Sequence, residues 1–115
     1  MAIVTVVISK NRDLVYIPSN RVRHGDTVIF SLNVASGAVD ATVNPPTCLQ
    51  DTEQITLNSH SLHTLNSEQP VADGAAVGSY PFTVQVPTEE VARKHGLELE
   101  TKNGNLDVTT DPPEA

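Results

Sequence analysis

The side chains that could do chemistry are few, and they are scattered. The chain holds four histidines, His24, His60, His63 and His95, and one cysteine, Cys48. His60-x-x-His63 is the tightest pairing, and a turn there would bring two imidazoles towards one metal ion, since metal sites favour short local pairs. A strand would send residues three apart to opposite faces. No CxxC and no third local ligand joins the pair. Ser59-His60-Ser61 sets hydroxyls beside an imidazole, but sequence neighbours rarely supply the geometry of a catalytic triad, and no Gly-x-Ser-x-Gly elbow occurs. Cys48 stands between Pro46 and Leu49 with no cation close in sequence to lower its pKa, so it reads as an inert thiol. A calcium loop of the Asp-x-Asp-x-Asp-Gly type is missing, and no glycine-rich loop precedes a helix to hold phosphate.

Charge narrows the partners. With 7 Lys and Arg against 14 Asp and Glu, the formal net charge is −7, which opposes the phosphate neutralisation that drives non-specific nucleic-acid binding. No Lys or Arg occurs from Thr27 to Pro87, whereas Lys10, Arg12, Arg21 and Arg23 cluster early. Separate basic and acidic surfaces would allow head-to-tail association. A lone cysteine leaves no intrachain disulfide and suits a reducing, cytoplasmic compartment, although a mature secreted or periplasmic chain would look the same. The apolar start, Ala2 to Ile8, lacks the basic flank and small-residue cleavage site of a leader and reads as a strand. No apolar run approaches bilayer length.

The elements that must position these groups are short and β-rich. In a chain of 115 residues, one domain over 1–115 is expected. Aromatic content is 3%, so the core must come from Val, Leu, Ile and Ala. Strands are expected over Ala2–Ile8, Leu14–Ile17, Thr27–Val34, Ala38–Val43, Glu53–Leu57 and Val77–Val86. Val28, Phe30, Leu32 and Val34 alternate with neighbours at period two, as do Tyr80, Phe82, Val84 and Val86; each set should line one face. Pro81 points to an edge position or a bulge. The polar stretch Asn58 to Gly74 reads as a loop or a ragged edge strand. One short helix is expected near residues 88–95, with Thr88 as N-cap, Glu89 and Glu90 in the first turn, Arg93, Lys94 and His95 in the last, and Gly96 just beyond. Asn103-Gly104 between alternating runs predicts a type I′ hairpin. Its register sets Leu99 opposite Val108 and Glu100 opposite Asp107, and gathers Leu97, Leu99, Leu106 and Val108 on one face. Glu100 and Asp107 would then be ordinary outward-facing acids or at most a weak cation site. Together these features predict an all-β fold, a Greek-key β-sandwich of about seven or eight strands.

The order of elements resembles a cupredoxin-type, Ig-like sandwich. The resemblance rests on Ile17-Pro18, on Gly25-Asp26-Thr27-Val28 and on Gly78-Ser79-Tyr80-Pro81-Phe82. In a copper-binding member, a histidine would follow the Gly-Asp-Thr-Val strand, and a Cys, a second His and often a Met would follow the late strand. Here Val84 and Val86 stand where that Cys would be sought, His95 is the only later histidine, and no Met occurs after Met1. The closing Asp111-Pro112-Pro113-Glu114 resembles the small bacterial DP-EP family of sandwiches.

The expected function is therefore a non-catalytic module acting through protein–protein contact or self-association. The partner would be another protein or a second copy, with no nucleic acid, no membrane and no cofactor. His60, His63, Asn66 and Glu68 in the polar segment are candidate contact residues, and the helix and hairpin form a second candidate surface. The alternative is a cupredoxin-derived metal binder using His60 and His63 with His95 or Cys48.

Overall fold

Alternating apolar residues dominate the chain, and they fold into two packed sheets. A computed structural model describes residues 2–59 and 62–109, with the side chains of Leu62 and His63 left aside. The strands are β1 (Ile3–Ile8), β2 (Val15–Ile17), β3 (Arg21–Val22), β4 (Thr27–Leu32), β5 (Asp40–Asn44), β6 (Ile55–Asn58), β7 (Asn66–Pro70), β8 (Gly78–Val86) and β9 (Glu100–Val108). A single helical turn, α1 (Leu62–Leu65), precedes β7, and a two-turn helix, α2 (Glu89–His95), follows β8. One sheet has the order β2-β1-β4-β7 and the other β3-β9-β8-β5-β6. The pairs β1–β4 and β3–β9 are parallel; the remaining ladders are antiparallel. The fold is all-β, with nine strands among the described residues.

Period-two patterning decides which side chains meet between the sheets. Val4, Val6 and Ile8 of β1 and Val28, Phe30 and Leu32 of β4 are buried from one side. Phe82, Val84 and Val86 of β8 with Leu106 and Val108 of β9 are buried from the other. Fully burying a Val, Leu or Ile side chain contributes about 1.5–3 kcal/mol, so this aliphatic interior is the main stabilising term. Phe82 is the hub: its ring meets Phe30 at 5.7 Å and Tyr16 at 6.4 Å, both edge-on, and so ties the two sheets together.

Asn103-Gly104 does not turn. β9 runs straight through both residues, and its ladder with β8 extends unbroken from Glu100, opposite Val86, to Val108, opposite Gly78. The reason is Phe82, which pairs with Gly104: a Cβ at Gly104 would sit 2.3 Å from the ring's Cζ. Glycine is there to admit a ring lying over the backbone, a second meaning of a strand glycine. The predicted Glu100–Asp107 pairing is thereby replaced, with Asp107 opposite Ser79. Leu97 and Leu99 leave the core and lie exposed ahead of β9.

Smaller departures have local causes. β4 stops at Leu32, and Val34–Ser36 forms a 3-10 turn closed by Gly37 at φ 97°. Pro81 occupies a central strand, but at a point β5 no longer reaches: the β5–β8 ladder ends at Asn44–Thr83. Its missing N–H therefore costs no ladder bond. The segment 58–74 contributes α1 and the edge strand β7. The helix has the expected caps: Thr88 Oγ1 accepts from the Val91 N–H, and Gly96 closes the end at φ 66°.

Candidate functional site

The register gathers several connections at one end of the sandwich. β1, β4, β6 and β8 finish there, and β2, β5, β7 and β9 begin. Between these connections lies an open cleft of about 650 Å³, within the range of ligand pockets.

One wall is α2. Buried Asp40 accepts both the Thr88 N–H and the Thr88 hydroxyl, each at 3.0 Å, which anchors the start of the helix to β5. At its other end the left-handed Gly96 reverses the chain, and the Leu97 N–H donates to the Ala92 carbonyl at 2.9 Å. This geometry presents Val91 and His95 from the helix and Leu97 and Leu99 from the strap beyond it to the cleft.

The facing wall is the 3-10 turn and the residues after it. Asn33 O accepts the Ser36 hydroxyl at 2.6 Å, and Ser36 Oγ accepts the Lys10 N–H at 2.9 Å. Gly37 follows, with Lys10 Cδ 3.5 Å from the place a Cβ would occupy, so the lysine stem lies along the turn. Ala38 and Val39 continue the lining, and Val86 and Pro87 form the base.

Electrostatics shape the rim. Glu100 Oε1 accepts the Asn11 N–H at 2.9 Å, and Oε2 lies 2.9 Å from Lys102 Nζ. Lys102 is buried, which is unusual for lysine unless paired, and it also donates to the Arg12 carbonyl. The bond from Lys102 holds the Glu100 carboxyl below the usual carboxylate range, with the Asn11 N–H and Lys10 adding to the effect. Lys10 and His95 complete the rim without an ion pair among the described residues.

The described residues among those that sequence singled out do not converge here. Cys48 lies at the opposite end, past β5, where its carbonyl accepts the Ala72 N–H at 2.9 Å. Burial pushes its thiol up to about 11, so little thiolate exists at neutral pH. His24 is at that end too, its Nε2 2.6 Å from the Ala75 carbonyl oxygen. His95 reaches the cleft; His63 lies on α1; His60 falls outside the described residues. Asn66 and Glu68 are exposed on β7, and neither lines the cleft. Among the described residues, no three His, Cys, Asp or Glu side chains are grouped to hold a metal ion. The tail 110–115, with Asp111-Pro112-Pro113-Glu114, is also outside the described residues. No helix among them is long and apolar enough to cross a membrane.

The cleft residues Lys10, Val39, Leu97 and Leu99 carry no motif. Gly96 was the one signal that could have exposed the two leucines, since a left-handed cap redirects the chain away from a simple hairpin arm. No family model matches the chain, and no curated protein matches its sequence.

Proposed function

We propose that this protein is a non-catalytic β-sandwich module that works through protein–protein contact or self-association, with the cleft beside α2 as its contact surface. The observation that carries the reading is the exposure of aliphatic side chains around a concave site: Val39 at 54%, Leu97 at 53% and Leu99 at 37%. Single exposed aliphatics are ordinary, but three lining one cleft form an apolar patch of the kind that marks interaction sites. Covering them would contribute several kcal/mol at about 25 cal/mol per Å², part of which offsets the cost of association. The net charge of −7 favours a protein partner over nucleic acid. We read the frame as cupredoxin-like, with buried Val84 and Val86 filling the strand where a copper cysteine would be sought.

The test pairs peptide display with light scattering. Peptides selected on the wild-type protein should lose binding to Leu97→Asp and Leu99→Asp, or the wild type should show a concentration-dependent mass that these variants abolish. Both changes fall on exposed positions and should alter stability by less than about 0.5 kcal/mol. No enrichment, together with a strict monomer at about 1 mM, where even weak specific association would register, rejects the reading.

A further inference from the structure

Beside the cleft, the five-stranded sheet has an unfinished edge. β3 pairs with β9 only through Arg21–Asp107 and Val22–Val108. Along β9 the odd-numbered residues face away from β8: the Asn105 N–H goes to Tyr16 Oη, that of Asp107 to the Asn20 carbonyl and that of Thr109 to the Val22 carbonyl, each at 2.9 Å. Alternation in an antiparallel ladder extends this to Thr101 and Asn103, whose backbone groups also point outwards. No acceptor meets their N–H groups among the described residues. Both residues are exposed. Next to them is a groove of about 320 Å³, bounded by Asp13, Leu14 and Tyr16 on the far side.

We propose that the Thr101–Asn103 edge is a strand-addition site for an extended, basic segment of a partner protein. The inference rests on the binding-module reading and supplies its partner class. An added strand would place its backbone against the outward N–H and C=O groups of Thr101 and Asn103, about 7 Å apart at the rise of a β-strand. Charge selects the occupant. Lys102 is already taken by Glu100 and the Arg12 carbonyl, whereas the Asp13 carboxylate has no ion pair among the described residues. The groove's unneutralised charge is therefore negative, on a chain of net charge −7, and a Lys or Arg beside the added strand meets it. A second copy would bring its own Asp13, unpaired among the described residues, to the same seam, setting like charge against like.

The experiment uses the isotope-labelled full chain and the capped peptide Lys-Val-Thr-Val-Thr-Lys, with Glu-Val-Thr-Val-Thr-Glu and a backbone N-methylated form as controls. The basic peptide should slow amide exchange at Thr101 and Asn103 at least tenfold at saturation, and both controls should fail to do so. Asp13→Asn should weaken binding about two- to fivefold at low salt. Asn103→Pro removes one outward N–H without touching the ladder to β8 and should weaken binding about fivefold. If that variant does not fold, the exchange data and the N-methylated peptide decide the matter. Unchanged exchange at both amides overturns the proposal, as does equal binding of the acidic peptide. Protection that rises with protein concentration alone assigns the edge to a second copy and overturns it too. Peptide binding that Leu97→Asp or Leu99→Asp abolishes, with no protection at Thr101 and Asn103, leaves the cleft reading standing while the strand-addition site falls.

Discussion

The two ends of the sandwich are finished in different ways. At the Cys48 end, polar groups are consumed by the fold itself. Buried Asp26 accepts the Ala2 N–H and the Arg23 N–H, both at 2.9 Å, while its own carbonyl accepts from Val71. The connections on that side are laced together by Gln50–Pro70 and Ala72–Cys48 backbone bonds. At the α2 end the polar groups hold the walls of a cleft, and Val34, Val39, Leu97 and Leu99 remain exposed. Apolar side chains are exposed at both ends, Ile3 and Val77 at the first and Val34, Val39, Leu97 and Leu99 at the second, but at the second three of them, Val39, Leu97 and Leu99, are gathered around one cleft. Binding segments come from the part of a fold that closure does not use up.

Breaking the closed end should have the largest effect. Asp26→Ala would strand two backbone donors and should cost about 3 kcal/mol in urea unfolding. The same end should be sensitive to alkali. The folded state raises the Cys48 thiol from its ordinary 9.0 to about 11, so it favours the protonated form. That stabilisation is complete below about pH 9 and is lost as pH climbs towards 11, on the order of 2–3 kcal/mol. Cys48→Ala should be less stable at neutral pH but show a flatter alkaline slope, measured by denaturation at each pH. Gly104→Ala, midway between the ends, should cost about 2 kcal/mol by displacing the Phe82 ring, with a matching fall in Tm and no change in which end binds. The smallest effect belongs to the open end. Glu100 has its pKa lowered in the fold, so its contribution is present above the ordinary carboxylate range and disappears as pH falls through the lowered value. The acid limb of the stability profile should be slightly flatter in Glu100→Gln, and the wild-type limb should weaken with salt.

Much of the frame was legible because it is written at short range. The period-two runs named Val28, Phe30, Leu32, Phe82, Val84 and Val86 as inward-facing, although Val34 at the end of the first run is exposed and Tyr80 in the second is half-buried; Thr88 and Gly96 fixed both ends of α2. What failed depended on residues far apart in sequence. Asn103-Gly104 carries a strong turn signal, yet the ring of Phe82 gives that glycine a different purpose. A hairpin there would set Leu97 and Leu99 on one face with Leu106 and Val108, whereas the continuous β9 leaves the two leucines exposed beside the cleft. β3 is only two residues long and pairs with the far end of the chain, so no local pattern announces it. Lys102 reads as a surface lysine, because its partners Glu100 and the Arg12 carbonyl come together only in the fold.

Tyr16 has an optical consequence. Its ring packs edge-on to Phe82 of the opposite sheet, while its oxygen accepts the Asn105 N–H, so one side chain bridges the seam where β2 and β9 face each other. The chain has no Trp and just two tyrosines, which makes phenol emission its native fluorescent reporter. With Tyr80→Phe as the background, the remaining signal belongs to Tyr16 alone. Its lifetime and quenching by acrylamide then follow the parting of the two layers directly, without an added label.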